Sequence, residues 1–507
     1  MRARWSQISL LAVLAVAMSA ALPSSGAVPP ALPSLGAVPP AASRAPMPIG
    51  AVAAEAAQAP GETLLIRGGW LFDSVGDVRV RNPGIVVRAG KIFSIGPSDE
   101  QVAALAGLGA LDAIDLDDGA TILPGFFDLH AHHAMDLFGR GRIDEVDYNP
   151  LIFLANGVTS VFPAGEMDPE KVMAARIAID NGERPGPRIM NSGPYFGSAR
   201  PGWNRDATAD QIREEVDYWV SLGVKGFKAK GIGPVHLRAL VEQAHAHGLP
   251  VTGHLGSGAR NSVNPRDAIM MGIDRIEHFM GGDAMPAERS AYASLVDIEP
   301  DTAEFRRIAD LYIRHRVNFD ATMSAYGYYG ERDPEVFTYW VDEKSFLTPF
   351  ARQHVESQER GVNESFERIY WVKRKLLKAF YDAGGGHLIT LGTDHPSWGE
   401  YLSGFAVHRE LLSFVLAGIP PADALKIATI NSARAMRVSD KLGTVEVGKL
   451  ADLVVVEGDP LTDIRDARNV RLVVRSGRIY DPAELLEAAR GKIGPSGPEE
   501  LAQWGRR

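Results

Sequence analysis

The stretch PGFFDLHAHH, Pro124 to His133, is a short apolar run that ends in three histidines. Its apolar part reads as a buried strand of a parallel sheet, where both faces are covered and the apolar run is nearly continuous. Side chains alternate along a strand, so His130 and His132 point to the same side and both imidazoles can reach one ion. Working outward, seven further segments have the same character. The full set is Pro124–Ala131, Val158–Ala164, Arg188–Phe196, Val224–Lys230, Pro250–Leu255, Asp274–Phe279, Val317–Ser324 and Leu388–Asp394. Amphipathic helices are predicted between several of them, at Asp210–Leu222, Pro234–His247, Glu304–His315 and Glu364–Ala383. Eight buried strands with crossover helices predict an α/β fold, a (β/α)8 TIM barrel.

In such a barrel the chemistry sits at the carboxyl ends of the strands. The unusual residues of this chain fall there. The fourth segment ends in Phe227-Lys228-Ala229-Lys230, the fifth in Thr252-Gly253-His254, the sixth in Ile276-Glu277-His278 and the eighth in Gly392-Thr393-Asp394. A lone histidine at a strand end is ordinarily a hydrogen-bonding residue. Four histidines and an aspartate converging on one barrel mouth predict a metal site at His130, His132, His254, His278 and Asp394. The chain contains its own control. His245 and His247 also read His-x-His, but they lie on a predicted helix, where positions two apart do not face each other. They are expected to be solvated, as are His236, His315, His354 and His408.

Composition excludes other classes. The 507 residues carry a net charge of −10 and no cysteine. Disulfide scaffolds, zinc fingers, iron–sulfur sites and thiol nucleophiles are therefore excluded. No basic run offsets the acidity, which argues against nucleic acid as a partner. Arg2 and Arg4, the apolar run Ile8–Leu22 and the small residues Ser25-Gly26-Ala27 (or Ser19-Ala20-Ala21) have the layout of a secretory signal peptide over residues 1–27. The run is short for a bilayer span, which takes about 20 residues. The expected location is periplasmic or secreted, with no stable membrane insertion. Residues 21–30 and 31–40 nearly repeat each other, and proline occurs nine times between Pro23 and Pro60. Residues 28–61 are expected to be an extended linker. Short strands punctuated by glycine and aspartate occupy residues 62–120 and 440–482. The two are expected to pair into one small β-sandwich domain, since either alone would leave an open sheet edge. The barrel is assigned to 121–439 and a C-terminal tail to 483–507.

On PGFFDLHAH, the His254 and His278 strand ends, GTDH and the tail ATINSARAMRVSDKLGTVEVGKLADLVVV, the chain resembles the amidohydrolase superfamily from about Thr63 to Asp481. It is most similar to the imidazolonepropionase-like branch, which includes prolidase-like (Xaa-Pro dipeptidase-like) enzymes. The resemblance implies a role for each matching residue. His130 and His132 would bind the more buried ion with Asp394, and His254 and His278 the second ion. Lys228, carboxylated to an anionic carbamate, would bridge both. A hydroxide held between the ions would be the nucleophile, and Asp394 would move its proton to the leaving nitrogen. Zinc is the expected metal, with manganese, iron or cobalt as substitutes. The chain departs from the family wording at Phe162-Pro163-Ala164-Gly165-Glu166 and at Lys230-Gly231-Ile232-Gly233, which bears on substrate binding more than on the metals.

The stretch from Ala325 to Asn363 contains Tyr326, Tyr328, Tyr329, Tyr339 and Trp340. Its length is that of an active-face lid, with the aromatics either packing it down or meeting substrate. His133, Tyr195, Arg200 and His395 lie near strand ends and are candidates for binding a carboxylate or polar group of a small-molecule or peptide-like substrate. The leading functional reading is an exported metal-dependent hydrolase of amide-type C–N bonds, such as a dipeptidase cleaving before a C-terminal proline-like residue. A mononuclear deaminase or cyclic-amidine hydrolase is the alternative, but such sites lack the bridging lysine. A phosphotriesterase or lactonase is a third reading. A non-catalytic binding module is disfavoured, because all six expected ligands are present.

Overall fold

The computed structural model describes residues 63–107, 109, 111–256, 263–280, 298–329, 333–337, 342–358, 363–395, 401–502 and 504, without the side chains of residues 328 and 329. The signal-peptide and linker assignments (1–27 and 28–61), Tyr339 and Trp340 lie outside them. Among the described residues, no helix is long and apolar enough to cross a membrane.

The two β-rich ends of the chain share one eight-stranded sheet. Thr63–Leu71 pairs parallel to Leu111–Pro124, and Leu453–Glu457 from the far end pairs antiparallel to the same strand. Leu453, Val454, Val455 and Val456 are all fully buried, so this strand is covered on both faces and shows no apolar–polar alternation. The strand Leu111–Pro124 runs across the boundary expected at 120/121, and Gly125 alone separates it from the strand Phe126–Ala131. Gly125 is required by packing, since a Cβ there would lie 2.1 Å from Thr159 Oγ1.

All eight predicted buried strands form, in shortened versions. They are Phe126–Ala131, Val158–Pro163, Arg188–Ile189 with Tyr195–Phe196, Phe227–Lys230, Val251–His254, Arg275–Glu277, Asn318–Asp320 and Ile389–Thr390. The third is split. Gly193 adopts φ +66, Pro194 has no N–H, and Asn191 and Ser192 are drawn to the Glu166 carboxylate instead. Pairing is parallel throughout, first with second, second with third, and third through eighth in order. The segment after the eighth strand bonds back to the first, with Asp394 N donating to His130 O at 2.9 Å and Leu129 N donating to Leu391 O at 2.9 Å. The strand ends that carry the histidines and acids are thereby brought together.

The four predicted helices form at Ala209–Ser221, Pro234–Ala246, Ala303–His315 and Glu364–Asp382. Thr208 begins the first with a capping box to Gln211. Glu364–Asp382 buries Ile369, Tyr370, Lys373, Leu376, Leu377 and Phe380, a helical stripe with one lysine in it. Among the described residues, the stretch from Ala325 to Asn363, whose length suggested a lid, is largely helical. It includes the end of helix Met323–Tyr329, then Pro334–Phe337, a 3-10 turn at Glu343–Phe346 and helix Pro349–Glu356. Buried Glu343 there accepts from the fully buried Arg409 guanidinium, which fastens the segment to helix Ser403–Leu416.

Candidate metal centre

Asp128 organises the seam between the first and eighth strands. Its carboxylate accepts from His130 N at 3.0 Å, Thr393 N at 3.1 Å and Thr393 Oγ1 at 2.7 Å. These bonds fix the backbone that presents His130 on one side and Asp394 on the other. Asp394 Oδ1 then lies 2.9 Å from His132 Nε2 and 3.1 Å from His130 Nε2. The alternation expected for His130 and His132 is met, since one carboxylate oxygen touches both rings.

The remaining predicted ligands converge on the same place. His278 Nδ1 is 3.7 Å from Asp394 Oδ2 and 2.8 Å from Thr322 Oγ1. The His254 and His278 rings are 4.3 Å apart, and those of His130 and His278 are 4.9 Å apart. Lys228 Nζ is 3.3 Å from His130 Nε2. His278, Thr322 and Asp394 hold left-handed backbone at φ +68, +47 and +44. That conformation is costly for side-chain-bearing residues and is concentrated at functional sites.

Two acids in the cluster were not singled out from the sequence. Glu277 is fully buried, binds the Lys228 ammonium, and accepts from Thr252 Oγ1 at 2.9 Å. Asp320 is fully buried too, with neither carboxylate oxygen hydrogen-bonded among the described residues, and its Oδ2 lies 3.3 Å from His130 Nδ1. Gly392 makes room for it, since a Cβ there would sit 2.2 Å from Asp320 Oδ2. The available signal was an acid inside a segment read as a buried strand, in Arg-Ile-Glu and Asn-Phe-Asp. A buried acid demands a partner.

Electrostatics suit a cation. Burial holds His132 down at about 3, and holds His254 and His278 well below the ordinary histidine range. Neutral imidazole is the metal-binding form. Burial alone would raise Asp394, but His130 and His278 beside it outweigh that and keep its carboxyl well below the usual range. Glu277 likewise falls to about 2, its burial outweighed by His130, Lys228 and Arg275. Burial pulls Lys228 down toward its neutral amine, against the pull of Glu277. Ligand atoms of His130, His132 and Asp394 lie within 4.8 Å of one another, as do those of His130, Glu277 and His278. The buried His278 Nε2 has no hydrogen-bond partner among the described residues, and His130 Nδ1 faces the Glu277 and Asp320 carboxylates at 3.5 and 3.3 Å. Buried imidazole nitrogens gathered around carboxylates, one of them without a partner among the described residues, fit divalent metal.

The four substrate-binding candidates divide. Tyr195 is buried beside the cluster, its ring centre 5.7 Å from Lys230 Nζ. Arg200 is engaged by the Glu215 carboxylate and lies 4.9 Å over the Trp203 ring. His133 faces away from His132 and meets Phe153 edge-on at 5.7 Å. His395 is fully buried, with its ring 6.1 Å from Tyr401 and its carbonyl accepting from Ser403 Oγ at 2.9 Å. The helical controls behave as expected of a surface pair, with His245 on Asp274 at 2.8 Å and His247 on Asp217 at 2.6 Å. His315 is exposed. Three other histidines expected in solvent are not there. His408 is buried against Phe126, His236 is buried and bonded to Ala207 O at 2.7 Å, and His354 stacks on Phe138 at 4.5 Å. His236 lies among the buried residues of its helix, His408 on a helix buried all round from Ser403 to Phe414, and His354 is half-buried. Of the long-segment aromatics, Tyr326 is buried and stacks on Phe366 at 5.3 Å.

A family model described as the Amidohydrolase family matches residues 121–480. Sequence relatives align only locally. A 5-methylthioadenosine/S-adenosylhomocysteine deaminase of Thermoanaerobacter pseudethanolicus is 36% identical over 77 residues, 14% of this chain and 18% of that protein. An adenine deaminase 2 of Rhizobium etli is 37% identical over 119 residues, 22% of this chain and 19% of that protein. The chain thus spans about a fifth of the length of these relatives. A crystal structure of a Xaa-Pro dipeptidase with bound methionine is similar in fold, with a TM-score of 0.60 at 22% identity, covering 83% of this chain and 100% of that one.

Proposed function

This chain belongs to the amidohydrolase family, and from that premise we propose that it is an exported, metal-dependent hydrolase of amide-type C–N bonds. The finer reading is a dipeptidase or N-acyl amino acid hydrolase acting before a C-terminal proline-like residue. The same reading takes the eight parallel strands as a (β/α)8 barrel and the eight-stranded sheet as the family's small β-sandwich domain. The observation that carries it is the meeting of His130, His132, His254, His278 and Asp394 around Lys228, from five separate strand ends.

His130, His132 and Asp394 would hold one divalent ion and His254 and His278 another, with Lys228 between them as its carbamate and zinc as the metal. Bound there, the ions supply the Lewis acidity that activates water and polarises a carbonyl. Asp394 is the group that accepts the proton from the attacking water and returns it to the leaving nitrogen. It is suited to this because its side chain is 25% exposed while His130, His132 and His278 are at most 3% exposed, so it alone of the four faces the substrate space. Asp128 and Thr322 hold the ligands in place through the bonds described above.

A deaminase is the second reading, favoured by the local sequence identity to deaminases. Metal-reconstituted protein screened against dipeptides, N-acyl amino acids and aminopurines separates the two. Release of amino acid from the acyl compounds supports the proposal. Ammonia from aminopurines, with no acyl cleavage, would replace it with the second reading. Export is tested by the mature N-terminus of protein from a native-like host, expected near residue 22 or 28.

A further inference from the structure

Two lysines share one face of the strand Phe227–Lys230, because side chains two apart on a strand point the same way. Their surroundings differ. Lys228 is bound by Glu277. Lys230, directly across from His254 in the neighbouring strand, has no ion pair and no hydrogen bond from its ammonium among the described residues. Its contact is with the Tyr195 ring, 5.7 Å from Nζ to the ring centre. The Tyr195 hydroxyl is also without a hydrogen-bond partner among the described residues, although the side chain is only 4% exposed. Both groups lie within Coulombic range of a second cation, Arg142, and of Asp394 and Glu277, beside the proposed reaction centre.

A half-buried ammonium and a buried phenol, both lacking partners among the described residues, are costly unless something else satisfies them. We propose that Lys230 and Tyr195 form an anion subsite that binds a carboxylate of the substrate, placing it next to the scissile bond. The Lys230 ammonium and the Tyr195 hydroxyl supply two donors for the two oxygens of a carboxylate, and Arg142 adds positive charge nearby. This deepens the reading of the chain as a C–N hydrolase and rests on it for the identity of the scissile bond. Arg200, the other basic residue considered for the role, is already neutralised by Glu215.

The test is calorimetric binding of N-methylsulfonyl-L-proline and its carboxamide to the metal-loaded protein, since a sulfonamide offers no carbonyl for attack. The acid is expected to bind about tenfold more tightly than the carboxamide, the scale of one charge-assisted contact. Lys230→Met should bring the ratio close to one while leaving the carboxamide Kd and the metal content unchanged. Lys230→Arg should retain the preference, and Tyr195→Phe should reduce it in part. Lys230→Gln serves if the methionine variant does not fold. No preference for the acid in the unaltered protein, or a preference that survives in Lys230→Met, overturns the proposal. So does loss of metal from Lys230→Met, which would place Lys230 among the ligands. A retained acid preference in a protein that cleaves no amide would count against the proposed reaction and leave the subsite standing.

Discussion

The ammonium of Lys228 is bound by the carboxylate of Glu277 inside the site, with the two side chains 1% and 0% exposed. They belong to the fourth and sixth strands, with Val251–His254 between them. Removing one member of such a pair leaves the other charge buried without a counter-ion. Glu277→Gln is therefore expected to destabilise the metal-free protein by about 3–5 kcal/mol. Urea unfolding of the apoprotein measures it, and a change below about 1 kcal/mol would show that the pair is not intact in solution.

The four histidines should carry the metal. His130→Ala, His132→Ala, His254→Ala and His278→Ala are each expected to lower bound metal, and chelation of the unaltered protein should lower its Tm, since a ligand held only by the folded state stabilises it. His245→Ala combined with His247→Ala should leave metal content unchanged, because those rings pair with Asp274 and Asp217 on the outside. Metal analysis of the five proteins decides this, and equal losses in the control would undo the site as drawn.

Asp394→Asn should separate chemistry from binding. Loss of a positioned proton carrier costs roughly 10²–10⁴ in rate, so kcat should fall by about that factor with KM little changed. A rise in KM at constant kcat would instead make Asp394 a substrate-binding residue.

His408 gives a pH dependence independent of the metals. Burial holds its imidazole at about 3, against an ordinary value of 6.5. The unfolded chain therefore binds the proton first as pH falls. Stability from this group is complete above about pH 6.5 and declines between 6.5 and 3, by about 1.4 kcal/mol per pH unit. His408→Gln should flatten the acid side of the stability–pH curve by that slope. Identical slopes in the two proteins would contradict the burial argument.

Strand positions and the principal ligands were legible because both follow local rules. A continuous apolar run marks a strand covered on both faces, and alternation assigns His130 and His132 to one side. Glu277 was overlooked although it stands next to His278, because its partner Lys228 is distant in sequence and only the strand order brings them together. Asp320 was missed for the same reason, being placed by its approach to His130 across the interior. His236 and His408 were misjudged because a polar residue on a helix was read as solvated without asking whether its face, or for His408 the whole helix, is covered. The split of the third strand follows from Gly193, Pro194 and the demands of the buried Glu166, the last of which no local pattern announces.

The most direct test of the two-metal centre is the metal stoichiometry of Lys228→Ala beside the unaltered protein, with turnover of the best amide substrate read on the same samples. Two ions per chain are expected in the unaltered protein. In Lys228→Ala, occupancy should fall to one ion or less, with most of the activity lost. Two ions and full turnover retained without Lys228 would contradict the lysine-bridged centre.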